Sequence, residues 1–473
     1  MMTQSLQYRF VILCVLAGQW VSESSSMAED AKSPNFLFIL ADDQSWSGTP
    51  IPMMPGNQAS CTAAFKMPNL AKIAAAGTIF SQAYASHPKC ECSRAAILMG
   101  RTTTSLNATD KRARNWNAPA RDSLANTLKR ANPNYRAAHY GKWQWPQSPE
   151  SMGYDSSDGI TQNEDGDTTD RADPKQSFGI TRRAISYMQN QVLTGHPFYL
   201  QLSYYAVHSQ PQALDSTLKA YQDAGTRNPN PLQAAMTEDF DTCIGELVKT
   251  LEKLEIRKNT FVIYMSDNGG RTRTLKGGKG TVDEGGLRVP LIVSGPGVRA
   301  GVYSQEPATG YDIFPTVIDF AAPGTALPKG VEGGSWRHVL LDGESGKIHR
   351  SVDRLVFHHS VEVDHPQTAL RQGDYKLVHY WDTNQDFLYN LTDDLSEQTN
   401  LAAAEPERTG KMLKVLQEHV RAGLGDQQFE ALERGVKQGG PRDRIEVKKK
   451  ARNRPTAKKQ GNGLNPLMYT FRG

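Results

Sequence analysis

Two polar pairs follow apolar runs of the kind that form buried strands. Asp42-Asp43 comes after residues 35–41 (NFLFILA), and Asp267-Asn268 comes after residues 260–265 (TFVIYM). Taken singly, each pair reads as loop polarity or helix capping, where Asp and Asn are common. Together they offer three carboxylates and one amide oxygen. These are hard oxygen ligands, suited to Ca2+ or Mg2+ rather than to zinc. A second cluster runs from Cys90 through Cys92, Ser93 and Arg94 to Gly100 and Arg101. Residues 93–99 read as a helix, which puts Cys90 at or just before its N-terminus. Backbone N–H groups there favour an anion, either a thiolate or a bound oxyanion. The plain alternative is a small buried helix with incidental cysteines. The two arginines favour a cationic pocket for an anionic substrate.

The elements that must position these residues follow from periodicity. Strands are expected at 35–41, 137–140, 197–207, 260–265 and 289–294, the third rich in aromatics. Helices are expected at 67–75, 177–192 and 237–254. In the last, Phe240, Cys243, Ile244, Leu247, Val248, Leu251 and Leu254 recur at three-to-four spacing. Cys243 lies on this apolar face and reads as a core residue. Alternation of apolar strands with amphipathic helices predicts an α/β fold with a large, mainly parallel sheet flanked by helices. Ligands of such sheets bind at the carboxyl ends of the strands, so the two polar pairs are expected to meet at one edge. Beyond a boundary near 328–348, strands at 369–381 and 387–391 predict a smaller C-terminal antiparallel sheet, closed by a helix over 405–424.

The 473 residues, 38% hydrophobic and 22% charged, suffice for one large domain and a smaller one, read here as 33–345 and 346–430. Five cysteines exclude a disulfide scaffold, and a Cys90–Cys92 bond would close a strained small ring. Residues 434–473 hold 12 Lys and Arg against 2 Asp and Glu, a balance of +10. With the whole chain at +4, residues 1–433 carry −6. The tail reads as a basic, disordered, solvated extension; a contact with polyanions is the alternative. Residues 10–17 (FVILCVLA) form a short apolar run after one positive charge, and Ser26-Met27-Ala28 has small-x-small spacing. Residues 1–28 are therefore expected to be a signal peptide, and the protein to be exported, periplasmic or secreted. No stretch is long and apolar enough for an integral membrane segment, and no nucleic-acid partner is expected.

The run Cys90-x-x-Ser93-Arg94-Ala95-Ala96-x-Leu98-x-Gly100-Arg101 resembles the signature of the type I (formylglycine-dependent) sulfatases of the alkaline-phosphatase-like superfamily. Other blocks agree in order. Residues 35–43 resemble the first metal-binding strand. Gly141-Lys142-Trp143 resembles the Gly-Lys-Trp block, and Tyr205-Ala206-Val207-His208 the central-strand histidine motif. Ser266-Asp267-Asn268-Gly269 resembles the second metal block. Residues 277–290, with Lys279, are similar to the lysine loop. Gly373-Asp374-Tyr375-Lys376-Leu377 and Leu388-Tyr389-Asn390-Leu391 resemble the C-terminal sheet. Ordered together, the blocks are far more specific than any one of them. Two positions depart from the pattern: Cys92 replaces the signature's proline or alanine, and Gln144 the histidine usual two residues after the Gly-Lys-Trp lysine.

The resemblance implies a sulfuric ester hydrolase, arylsulfatase-like, acting on a sulfated carbohydrate or aryl sulfate. It implies that a formylglycine-generating enzyme oxidises Cys90 to formylglycine (3-oxoalanine). One hydroxyl of the hydrated aldehyde attacks sulfur and displaces the alcohol; the other then collapses to the aldehyde and expels sulfate. By the same resemblance, Asp42, Asp43, Cys90, Asp267 and Asn268 bind Ca2+, with Mg2+ the alternative ion. Arg94 holds the hydrate and the metal shell, Lys142 and Lys279 grip the sulfate oxygens, and His208 protonates the leaving alcohol. Two other readings are kept: a phosphoester hydrolase of the same superfamily, and an inactive sulfated-glycan binding protein. Substrate choice is expected to lie in loops such as 154–173 and 361–367. His358 and His359 are expected to be structural.

Overall fold

The computed structural model describes residues 33–107, 118–271, 274–360 and 365–434. The expected signal peptide, part of the loop 361–367 and nearly all of the basic tail lie outside the described residues. The strands are β1 (Asn35–Ala41), β2 (Thr78–Phe80), β3 (Ala83–Tyr84), β4 (Arg136–Gly141), β5 (Ser156–Ser157), β6 (Phe198–Ser203), β7 (Thr260–Ser266), β8 (Leu291–Ser294), β9 (Val302–Ser304), β10 (Ala308–Thr309), β11 (Leu355–His359), β12 (Gln367–Gln372), β13 (Tyr375–Tyr380) and β14 (Gln385–Asn390).

Eight strands form one sheet in the order β5-β4-β6-β1-β7-β8-β2-β9. All pairs are parallel except those of β8, which runs antiparallel to both β7 and β2. The central strands are buried along their whole length and mostly apolar, as covering both faces requires. Phe36, Phe38 and Leu40 face one hydrophobic cluster, whereas Leu37, Ile39 and Ala41 face the other. The register aligns the strand ends. Gly141 pairs with Ser203, Leu40 with Ser203, and Ala41 with Ser266. Lys142, Asp42 and Asp267 therefore leave the sheet side by side at its carboxyl edge.

The second sheet, β11-β12-β13-β14, is wholly antiparallel. Its residues alternate in destination. Leu355, Phe357, Ala369, Val378 and Tyr389 pack toward Tyr84 of β3, which pairs with β10 in a separate two-stranded sheet, and toward Val282 and Leu287. Val356, Leu370, Leu377 and Leu388 pack under Met412, Leu416, Val420 and Leu424 of the helix Pro406–Leu424. A strand with apolar residues on both faces is thus gripped from both sides.

Three sequence expectations shift. Residues 369–381 are not one strand; the chain reverses at Gly373, whose φ of 58° suits a residue without a side chain. The aromatic strand ends at Ser203 instead of running to residue 207, and the following residues turn into the site. The long helix begins at Pro231, six residues before the expected start at Thr237. Asn230 caps it by accepting from Leu232 N, and proline is tolerated at the first helical position.

Candidate active site

Each candidate side chain has a distinct local origin. Asp42 N–H donates to the Ala206 carbonyl at 2.9 Å and Asp267 N–H to the Ala41 carbonyl at 3.1 Å, so both aspartates are pinned as the strands end. Lys142 N–H donates to the Ser203 carbonyl at 2.8 Å. Gly141 before it has φ 94°, and a side chain there would run into the same carbonyl. The acidic loop expected to shape specificity braces this turn: Asp158 Oδ2 accepts from Gly141 N, and Thr161 Oγ1 accepts from Trp143 N and donates to the Gly141 carbonyl.

Cys90 opens the helix Cys90–Met99, with Lys89 as N-cap, and Gly100 closes it in the left-handed region. The helix is buried on nearly every side, and Cys90 is a free thiol, not bonded to Cys92. Its Sγ lies 3.4 Å from Asp42 Oδ1, 3.7 Å from Asp43 Oδ1 and 3.4 Å from Lys279 Nζ. Lys279 reaches in because its N–H donates to the Gly270 carbonyl at 3.0 Å and Gly280 N–H to the Pro88 carbonyl at 2.9 Å. The lysine loop is thereby tied to both the second polar pair and the segment before Cys90.

The charges interlock. Arg94 donates twice to Asp267 Oδ2, from Nε at 2.9 Å and Nη2 at 2.7 Å, and from Nη1 to the Lys142 carbonyl at 2.8 Å. Lys142 Nζ meets Asp42 Oδ2 at 2.5 Å, and Lys279 Nζ meets Asp43 Oδ1 at 2.6 Å. Burial alone would push the Asp42 carboxyl up, but Lys142, helped by Arg94 and His208, holds it below its ordinary value. Burial would likewise lower Lys142, yet Asp42 keeps it charged and above its usual value. The Cys90 thiol goes the other way: burial first, then Asp267, push it well above the thiol range.

Asp42, Asp43, Cys90 and His208 present ligand atoms all within 4.8 Å of one another, the one such group of acidic, thiol and imidazole side chains among the described residues. His208 Nε2 is 3.7 Å from Asp43 Oδ2, and its Nδ1 is held by the Ser209 carbonyl. Its place in this group is not signalled by a position near a strand end. Asn268 Nδ2 donates to Asp43 Oδ1 at 2.8 Å, while its Oδ1 is buried without a hydrogen-bond partner. An orphaned amide oxygen beside three carboxylates suits a hard divalent cation, which would also relieve the mutual repulsion of Asp42 and Asp43. The structure thus brings together Asp42, Asp43, Cys90, Arg94, Lys142, His208, Asp267, Asn268 and Lys279. Gln144 stands aside, donating to Asn163 Oδ1 at 3.1 Å. His358 and His359 are buried in β11, His358 Nδ1 paired with Thr368 Oγ1 at 2.7 Å, and burial pushes both well below the ordinary histidine range.

The comparisons agree with this geometry. The profile of the Sulfatase family matches residues 34–323, and that described as N-sulphoglucosamine sulphohydrolase, C-terminal, matches residues 278–423. The N-acetylgalactosamine-6-sulfatase of Sus scrofa is 27% identical over 401 residues, covering 74% of this chain and 72% of that protein. A sulfatase of Formosa agariphila is 25% identical over 504 residues, covering 85% and 90%. Among solved structures, Ps i-CgsB superposes with a TM-score of 0.70 at 23% identity, over 82% of this chain and 93% of that one. BT4656, solved with its substrate D-glucosamine-2-N,6-O-disulfate, gives 0.67 at 19% identity, over 83% and 98%. The matched profile spans more than half of the chain and every residue of the site just described: the chain belongs to the sulfatase family, enzymes that hydrolyse sulfate esters.

Proposed function

We propose that the protein is an exported, Ca2+-dependent sulfatase of sulfated carbohydrates whose nucleophile is formylglycine made from Cys90. The observation that carries this reading is the convergence on Cys90 Sγ of two carboxylates and the Lys279 ammonium, each within 3.7 Å. Asp42, Asp43, Asp267 and Asn268 would hold the cation, which supplies charge for the sulfate oxygens and acidity for the attacking hydroxyl. The modified side chain supplies two hydroxyls on one carbon, one to attack and one to release sulfate.

This chain's own residues do the rest. Arg94 fixes Asp267 and the Lys142 backbone, so the carboxylate edge and the lysine cannot drift apart. Lys279 touches Cys90 Sγ and Lys142 is held on Asp42, which also touches it, so both ammonium groups are near the position where sulfate oxygens gain charge in the transition state. His208 is placed to give a proton from Nε2 to the departing alkoxide. Saccharide substrates are supported by the sugar substrates of the similar sulfatases and by a cavity beside Asp43 whose lining includes Ser45, Ser209, Gln233 and Thr237. Phosphoester hydrolysis is the second reading, since both reactions use cationic oxyanion sites.

Measuring sulfate and phosphate release from matched nitrophenyl esters, with Cys90→Ala alongside, tests the proposal. The expected result is sulfate release far above phosphate release, and its loss in the variant. Phosphate release in excess, or sulfate release surviving Cys90→Ala, contradicts it.

A further inference from the structure

A cavity of about 270 Å3 opens beside Asp43. Its walls include Phe65, Ser209, Gln233, Thr237 and Arg271. Val207 and Ser209, the neighbours of His208, line it too, so it lies on the side where the alcohol leaves. Phe65 is anchored by packing on Tyr221, Ala234 and Ala235, which gives the cavity one fixed aromatic wall. Gln233 and Ser209 offer side-chain donors and acceptors. An aromatic wall with a few polar groups is the usual composition of a small polar-ligand pocket.

Arg271 is the unusual member. Every cation of the centre is matched by a carboxylate: Arg94 by Asp267, Lys142 by Asp42 and Lys279 by Asp43. Arg271 is exposed and has no carboxylate within ion-pair distance among the described residues. Its backbone is nonetheless fixed. Gly270 passes so close to Asp43 and Ser45 that a side chain there would strike the Asp43 carbonyl, and the Gly270 carbonyl accepts from Lys279 N. A side chain added at Gly278 of the lysine loop would meet the Gly270 carbonyl and reach the Arg271 Cα. An unpaired guanidinium on a pinned backbone, facing a pocket next to an anion-handling centre, is suited to bind a planar or tetrahedral anion through paired N–H donors.

We infer that this cavity holds the sugar and that Arg271 takes a second anionic group on it, a sulfate or a carboxylate, making the enzyme selective for polyanionic saccharides. The inference rests on the sulfatase reading and adds a selectivity determinant to it. Arg271 acts in binding and not at the scissile sulfate, so it favours one substrate over another without entering the chemistry.

The test compares kcat/KM for three substrates: glucosamine bearing one O-sulfate, its N,O-disulfate, and a disaccharide joining the monosulfate to glucuronate. At least one dianionic substrate should exceed the monosulfate by about tenfold or more, and the one that does identifies sulfate or carboxylate as the second group. Arg271→Gln should bring that ratio close to one, and Arg271→Lys should keep part of it. A wild-type ratio near one, or a ratio unchanged by Arg271→Gln, overturns the inference. Nitrophenyl sulfate separates the two layers. If it is hydrolysed while the ratio is near one, only the selectivity claim fails. If no substrate releases sulfate, the sulfatase reading fails and takes this inference with it.

Discussion

His208 illustrates how far a single side chain's role follows from its contacts. Nδ1 donates to the Ser209 carbonyl, so Nε2 is the nitrogen left to face Asp43 and, in the proposed mechanism, to serve the leaving group. A general acid matters in proportion to how poorly the leaving group bears negative charge. His208→Ala should therefore lose about a hundredfold or more in kcat on a sugar sulfate and under about tenfold on nitrophenyl sulfate. Equal losses on both would show that His208 positions the substrate or the metal set instead. At this scale the sequence was informative for residue types and silent on pairing. Two polar pairs after buried strands implied a common edge, and that edge exists. That Lys142 would partner Asp42 while Arg94 took Asp267 depends on distances across four strands, which no local pattern carries.

Between elements, the lysine loop is clamped by the C-terminal sheet. Lys376 of β13 meets Glu284 Oε1 and Glu397 Oε1, each at 2.9 Å, and Glu284 also pairs with Arg288 at 2.6 Å. Glu397 Oε2 accepts from Glu284 N at 2.8 Å. One lysine thus serves two buried carboxylates. Glu284, which also has Arg288, is held low despite its burial, chiefly by Lys376. Glu397 is pushed up to about 7, by burial first and then, against the pull of Lys376, by the charge of Glu284. A carboxyl raised in the folded state binds its proton more tightly there than when unfolded. Its contribution to stability is full below its ordinary value of 4.5 and is lost as pH rises through about 7. Glu397→Gln keeps an acceptor but cannot titrate, so its melting temperature should fall less than that of the wild type between pH 5 and 8. Parallel pH profiles for the two proteins would rule this out. The sequence placed both sheets but not this clamp, because Lys376, Glu284 and Glu397 look like ordinary surface charges until two sheets bury them. It also merged β12 and β13, although Arg371-Gln372-Gly373-Asp374 interrupts the apolar residues with a turn signal.

On the scale of the whole molecule, a parallel sheet supplies an aligned edge, a buried helix delivers Cys90 to it, and a second sheet locks the loop that carries Lys279. The signature's departure at Cys92 falls within that helix, and Cys92 is buried two residues from the position proposed for modification. The account stands on one covalent proposal: that Cys90 of the active protein is no longer a cysteine. Trypsin cuts after Lys89 and Arg94, so the peptide Cys90–Arg94 isolates the position. Mass analysis of that peptide, from protein purified from its native host and shown to release sulfate, is the most direct measurement. The account predicts the mass decrease that accompanies replacement of –CH2SH by –CHO at Cys90, with Cys92 intact. A fully unmodified Cys90 in protein that still hydrolyses sulfate esters would contradict it.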